Sequence, residues 1–137
     1  MKTIKNLMLI LLISLCSKTV NAQLNNTAWK GVFMAPQATE CTVVFKADTM
    51  YVVIGGDINP DKIDPDNILE TSSCKISHDT LTIQKIAGHS PCSEDIIGKY
   101  SFVIKDGLLS ISVINDDCGP RANAFPTEPL TLLKSKE

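Results

Sequence analysis

The stretch Tyr100-Ser101-Phe102-Val103-Ile104-Lys105-Asp106-Gly107-Leu108-Leu109-Ser110-Ile111-Ser112-Val113 reads as two strands about a two-residue turn, because Asp-Gly suits the positive backbone angles of a tight hairpin. Pairing outward from that turn sets Ile104 opposite Leu109, Phe102 opposite Ile111 and Tyr100 opposite Val113 on one face. Ser101, Lys105, Ser110 and Ser112 fall on the other face, so one side is apolar and one is wet. The turn Ala47-Asp48 likewise pairs Phe45 with Met50, Val43 with Val52 and Cys41 with Ile54. The turn His78-Asp79 pairs Ile76 with Leu81 and Cys74 with Ile83. A slip of one residue would turn each apolar set to solvent, so the three turns agree on a single inner surface.

Working outward, alternation and turn residues place eight strands at 28–34, 41–46, 49–54, 68–76, 80–86, 97–105, 108–115 and 129–135. No stretch carries a helical period, and no repeat or low-complexity segment stands out. The tight turns fall at one end, which sends the loops 35–40, 55–67, 87–96 and 116–128 to the other. Eight antiparallel strands in simple succession lose their exposed edges by closing, so the expected fold is all-β, an eight-stranded antiparallel up-and-down barrel. A barrel of that size is either filled by its own side chains or holds one small ligand. The inward aromatic set is Trp29, Phe33, Phe45, Tyr100 and Phe102, which serves a filled core or a ligand wall equally.

The first residues carry a different pattern. Lys2 and Lys5 precede the apolar Leu7–Leu15, and Val20-Asn21-Ala22 supplies small residues for cleavage, so residues 1–22 are expected to be a secretory signal peptide. Residues 23–137 then form one domain, with no membrane span after cleavage and a secreted or periplasmic, extracytoplasmic destination. Loss of Lys2, Lys5 and Lys18 takes the 13 basic residues to 10 against 15 acidic ones, a charge near −5. Nucleic acid and anionic membranes are poor partners for such a surface. Of the 5 cysteines, Cys16 lies in the leader and four remain, an even number in a chain bound for an oxidising compartment. Cys92 and Cys118 flank the 97–115 hairpin, and extending its register places Cys118 opposite Asp95, three residues from Cys92, which predicts a disulfide at the mouth. Cys41 and Cys74 point inward on strands separated by one neighbour, either as a second disulfide reached by elimination or as buried thiols.

Five further stretches, Trp29-Lys30-Gly31, Phe45-Lys46-Ala47-Asp48-Thr49, Asp79-Thr80-Leu81-Thr82-Ile83, Gly98-Lys99-Tyr100-Ser101-Phe102 and Asp116-Asp117-Cys118-Gly119-Pro120-Arg121, span nearly all of the domain. In their order and spacing they resemble the bacterial secreted lipocalin-like proteins, which are calycin-type barrels. The resemblance implies an interior that takes a small apolar molecule through a mouth at the long-loop end. It also implies a late arginine stacked on the first-strand tryptophan, here Arg121 on Trp29. The residues alone leave Arg121 equally as a solvated loop charge or a partner of Asp116 or Asp117.

Other motifs weigh little. Asp57-Ile58-Asn59-Pro60-Asp61 opens like a calcium loop, but Lys62 replaces the turn glycine and Ile68 the bidentate glutamate, so no metal site is expected. His89 beside Cys92 lacks a second ligand pair, His78 is turn chemistry, and Asn25-Asn26-Thr27 is an ordinary N-terminal segment. No catalytic triad order, paired-carboxylate motif, phosphate loop or cofactor motif appears. The expected function is therefore non-catalytic binding of a small apolar or amphipathic molecule by Trp29, Phe33, Phe45, Tyr100, Phe102 and Arg121. The alternatives are an extracytoplasmic protein-interaction module with a filled core, and, further off, an enzyme on the same scaffold.

Overall fold

A computed structural model describes residues 21–133. The leader expected over residues 1–22 lies almost wholly outside this range, as does the end of the last expected strand. After a helical turn, α1 (Asn21–Leu24), come β1 (Thr27–Met34), β2 (Ala38–Lys46), β3 (Thr49–Ile54), β4 (Ile68–Ser77), β5 (Thr80–Ala87), β6 (Ile97–Lys105) and β7 (Leu108–Asn115). A short helix α2 (Gly119–Ala124) precedes β8 (Leu130–Leu132). Each strand pairs with the next and β1 pairs with β8, which makes a closed antiparallel up-and-down barrel.

The hairpin registers are those the turns require. Phe45 faces Met50, Cys74 faces Ile83 and Phe102 faces Ile111, with every other expected pair of the three hairpins in place. Asp106 and Gly107 both have positive φ, 54° and 73°, as a two-residue hairpin turn demands. The other two turns are anchored from outside: the Asp48 carbonyl accepts from Cys74 N at 2.6 Å and the Asp79 carbonyl from Phe102 N at 2.8 Å. Each turn thus extends the ladder onto the following strand. Asn25 Oδ1 accepts from Ala47 N at 2.8 Å, which fixes the first turn to the residues after α1.

Apolar alternation fills the lower barrel. Trp29, Phe45, Leu81, Ile83, Tyr100, Phe102 and Leu109 are buried together, and Leu24 is fully buried against them from α1. Leu24 precedes β1 and so seals the tight-turn end, a role that alternation within strands cannot announce. Closure rests on the short β8, whose residues pair only with Trp29 and Lys30 on one side and Leu108 and Leu109 on the other. Gly31 leaves room beside this seam for the Leu130 side chain, whose Cδ2 lies close to where a Cβ would stand.

One loop departs from expectation. The 55–67 segment does not crown the mouth; it folds back over the outer wall of β2 and β3. Thr42, Val44 and Val53 point outward by alternation yet are buried, and Thr42 Oγ1 donates to the Gly55 carbonyl at 2.7 Å. Pro60 and Asp61 reach Val44 and Lys46 across an outer cleft. The physical reason is the all-apolar run Val43-Val44-Phe45 and its partner Val52-Val53, which leaves apolar surface on both faces of the wall.

Candidate functional site

Between the packed lower barrel and the remaining long loops lies a cavity of about 730 Å³. Its walls are apolar, with Phe33 from β1, Met50 and Val52 from β3 and Leu69 from β4. Pro36, His89, Pro91 and Pro120 form the rim, and Phe125 leans in from the segment after α2. Phe125 packs on Phe33 at 5.6 Å and on Tyr100 at 4.8 Å between ring centroids, so the cavity floor is continuous with the core.

Two charged side chains face this apolar space, Glu70 from β4 and Arg121 from α2, and a bulge sits beside the first. The β3–β4 register slips between Val52 and Val53, leaving Leu69 as an extra residue opposite the step. An extra residue bends the strand and re-aims its side chains. Leu69 thereby joins Glu70, which is in phase with inward Ser72 and Cys74, on the cavity wall, and Glu70 is only 4% exposed. Glu70 Oε1 accepts from Ser72 Oγ at 2.6 Å and from Arg121 Nη1 at 3.2 Å, while Oε2 accepts from Ser90 Oγ.

Arg121, from α2, is buried over the top. Its Nε and Nη2 donate to the two oxygens of Asp116 at 2.6 and 3.0 Å, and Nη2 also donates to the Ile96 carbonyl at 3.1 Å. Tyr100 donates its hydroxyl to Asp116, and the Cys118 N–H reaches the same carboxylate at 2.9 Å. Gly98 makes room, since a Cβ there would strike the Asp116 carboxylate and the Tyr100 ring. Burial alone pushes the Asp116 carboxyl up, but donation from Arg121, Tyr100 and the Cys118 N–H outweighs it and holds the group below the usual carboxylate range. Burial and the hydrogen bond to Asp116 both push the Tyr100 phenol up, keeping it protonated as a donor. For Arg121 burial works against the charge, and the carboxylates of Asp116 and Glu70 more than restore it.

The mouth is braced by covalent and polar ties. Cys92 and Cys118 form a disulfide with Cα atoms 5.6 Å apart, linking the 88–96 loop to the start of α2 as expected. Lys85 Nζ donates to the Ser90 and Cys92 carbonyls at 2.7 and 3.2 Å, and Ser90 N donates to the Leu69 carbonyl at 2.9 Å. Cys41 and Cys74, expected as a second disulfide or as buried thiols, are free and buried. They stand on β2 and β4 with β3 between, and burial pushes both thiols up to about 11, so they pack as small apolar groups.

Of the residues expected to bind ligand, Phe33 and Arg121 line the cavity. Trp29, Phe45, Tyr100 and Phe102 are brought together in the packed core beneath it, Tyr100 touching the lining through Phe125. The partners of Arg121 are Asp116 and Glu70 rather than the Trp29 ring, whose Nε1 donates to Thr27 Oγ1 at 2.7 Å. Two carboxylates offer a buried guanidinium charge neutralisation as well as hydrogen bonds, which an indole face does not. Of the site residues, the sequence reading missed Met50, Val52, Leu69, Phe125 and, of most chemical weight, Glu70. Counting back in twos from inward Cys74 through Ser72 reaches it, a signal masked because a charged residue is rarely assigned to a core face.

Among the described residues no group of three His, Cys, Asp or Glu side chains gathers to hold a metal, and no helix is long and apolar enough to cross a membrane. In the acidic 57–66 segment, Asn59 and Asp64 side chains instead accept from the Asp61 and Asp66 N–H groups at 2.9 and 3.0 Å. Compared with family models, curated proteins and solved structures, the chain gives no match.

Proposed function

We propose that this chain is a lipocalin-like carrier, secreted or periplasmic, that holds one small apolar or amphipathic molecule without altering it. The observation carrying this reading is the cavity of about 730 Å³ at the loop end, walled by Phe33, Met50, Val52 and Leu69. Small-molecule sites are concave, mostly apolar and furnished with a few placed polar groups, within roughly 300–1,000 Å³. The order and spacing of stretches that resemble lipocalin-like proteins support it, and the Cys92–Cys118 disulfide supports an oxidising compartment.

Native mass spectrometry of protein purified without detergent tests the reading directly, together with titration of a neutral apolar fluorescent probe. A co-purifying small molecule or saturable probe binding is expected. Ala124→Trp, which fills the mouth from α2 without entering the lower core, is expected to abolish that binding. The carrier reading fails if nothing co-purifies and no probe binds up to about 1 mM, an affinity of only ~4 kcal/mol. A protein-interaction module is the second reading, favoured by exposed Val32 and Met34 on β1 and Val113 and Ile114 on β7, beyond the stretches that β8 pairs.

A further inference from the structure

We infer that the cavity selects an amphiphile whose head group donates hydrogen bonds, a primary amine above all, and disfavours a carboxylate; this rests on the carrier reading above. Glu70 and Arg121 are the charged side chains on the wall, with His89 at the exposed rim. They are not equally free. Arg121 commits four of its five N–H donors: two to Asp116, one to the Ile96 carbonyl and one to Glu70. Its charge is matched by the bidentate contact with Asp116 before Glu70 is counted.

Glu70 has more to offer. Its Oε1 takes two donors, but Oε2 takes only the Ser90 hydroxyl, and a carboxylate oxygen accommodates about two. Lys85, the remaining cation bonded to this loop, donates to the Ser90 and Cys92 carbonyls and is neither on the cavity wall nor in ion-pair range of Glu70. The wall therefore presents unused acceptor capacity and a carboxylate charge only partly offset. An ammonium head adds a charge-assisted hydrogen bond there, whereas a carboxylate head meets repulsion at short range in a water-poor space.

The test is competition of decylamine, decanol and decanoate against the neutral apolar probe at pH 7.5, each below its aggregation concentration. The expected order is amine, then alcohol, then carboxylate, with the amine about tenfold or more tighter than the carboxylate. Glu70→Gln is expected to bring amine and alcohol within about twofold of each other, chiefly through loss of amine affinity. Equal or tighter binding of decanoate overturns the inference while leaving the carrier reading standing. So does an amine preference that survives Glu70→Gln, which would trace to the acidic outer surface. Failure of all three, with no probe bound, overturns the carrier reading itself. Should Glu70→Gln not fold, Ser90→Ala serves: it frees Glu70 Oε2 from its protein donor, so the amine preference is expected to hold or grow, and its loss overturns the inference.

Discussion

The two ends of the barrel are closed by different physics. At the tight-turn end Leu24, Trp29, Phe45 and Leu109 meet in one apolar mass, where each contact is small and none is directional. At the loop end the closure is made by Arg121, Asp116, Glu70 and a disulfide, where a few groups must meet at fixed distances. Apolar burial has no preferred angle, so side chains interdigitate until the space is full. A braced polar cap holds its span whether or not the space beneath is filled. That difference accounts for the open space beneath the polar cap and the packed interior above the tight turns.

The largest expected effect that tests this comparison is at the polar end. Arg121→Met leaves Asp116 and Glu70 buried without their cation, for which a loss of ~3–5 kcal/mol is expected in urea unfolding. A loss under ~1 kcal/mol would mean that the cap is not held by charge. Replacing both Cys92 and Cys118 by serine comes next, at about 3–4 kcal/mol in the loop-entropy account. Far-UV circular dichroism is expected to keep its β signature while probe affinity falls, since the bond braces the mouth and not the barrel wall.

At the apolar end Leu24→Ala is expected to cost about 3 kcal/mol yet to leave probe affinity unchanged, because Leu24 is buried in the core and takes no part in the cavity lining. Equal loss of probe binding would show the two ends to be coupled. A smaller, pH-dependent effect separates them further. Asp116 titrates below its ordinary value, so its stabilisation is fully present above the unfolded pKa of about 3.9 and is lost as pH falls through the folded value. Acid denaturation is therefore expected to steepen below about pH 4 in the parent and to lose that component in Arg121→Met.

Smallest is the thiol effect. Cys41 and Cys74 have thiols raised to about 11 in the fold, so their contribution is complete below the unfolded value near 9 and declines as pH rises toward the folded one. At pH 8 neither is expected to react with a thiol reagent until the chain is unfolded, when Cys41 and Cys74 should both become labelled. Prompt labelling of the native protein would mean that the barrel wall opens between β2 and β4.

Local chemistry was enough to determine the hairpins. Positions two apart along Phe45, Phe102 or Ile83 point the same way, and each short turn allows one register, so strand order, inner face and the approach of Cys92 to Cys118 were all legible in the chain. What depended on distant segments was not. Glu70 keeps the inward phase of Cys74 and Ser72, but the bulge that sets Leu69 beside it depends on how β3 and β4 match, and Arg121 finds Glu70 across 51 residues of sequence. The 55–67 loop lies on the outer wall because Val44 and Val53 need covering, and Cys41 and Cys74 stay unbridged because β3 stands between them. Alternation is a property of neighbouring residues and survives in a linear reading; the polar cap and the cavity it spans are sums over segments that only closure of the barrel brings within bonding distance.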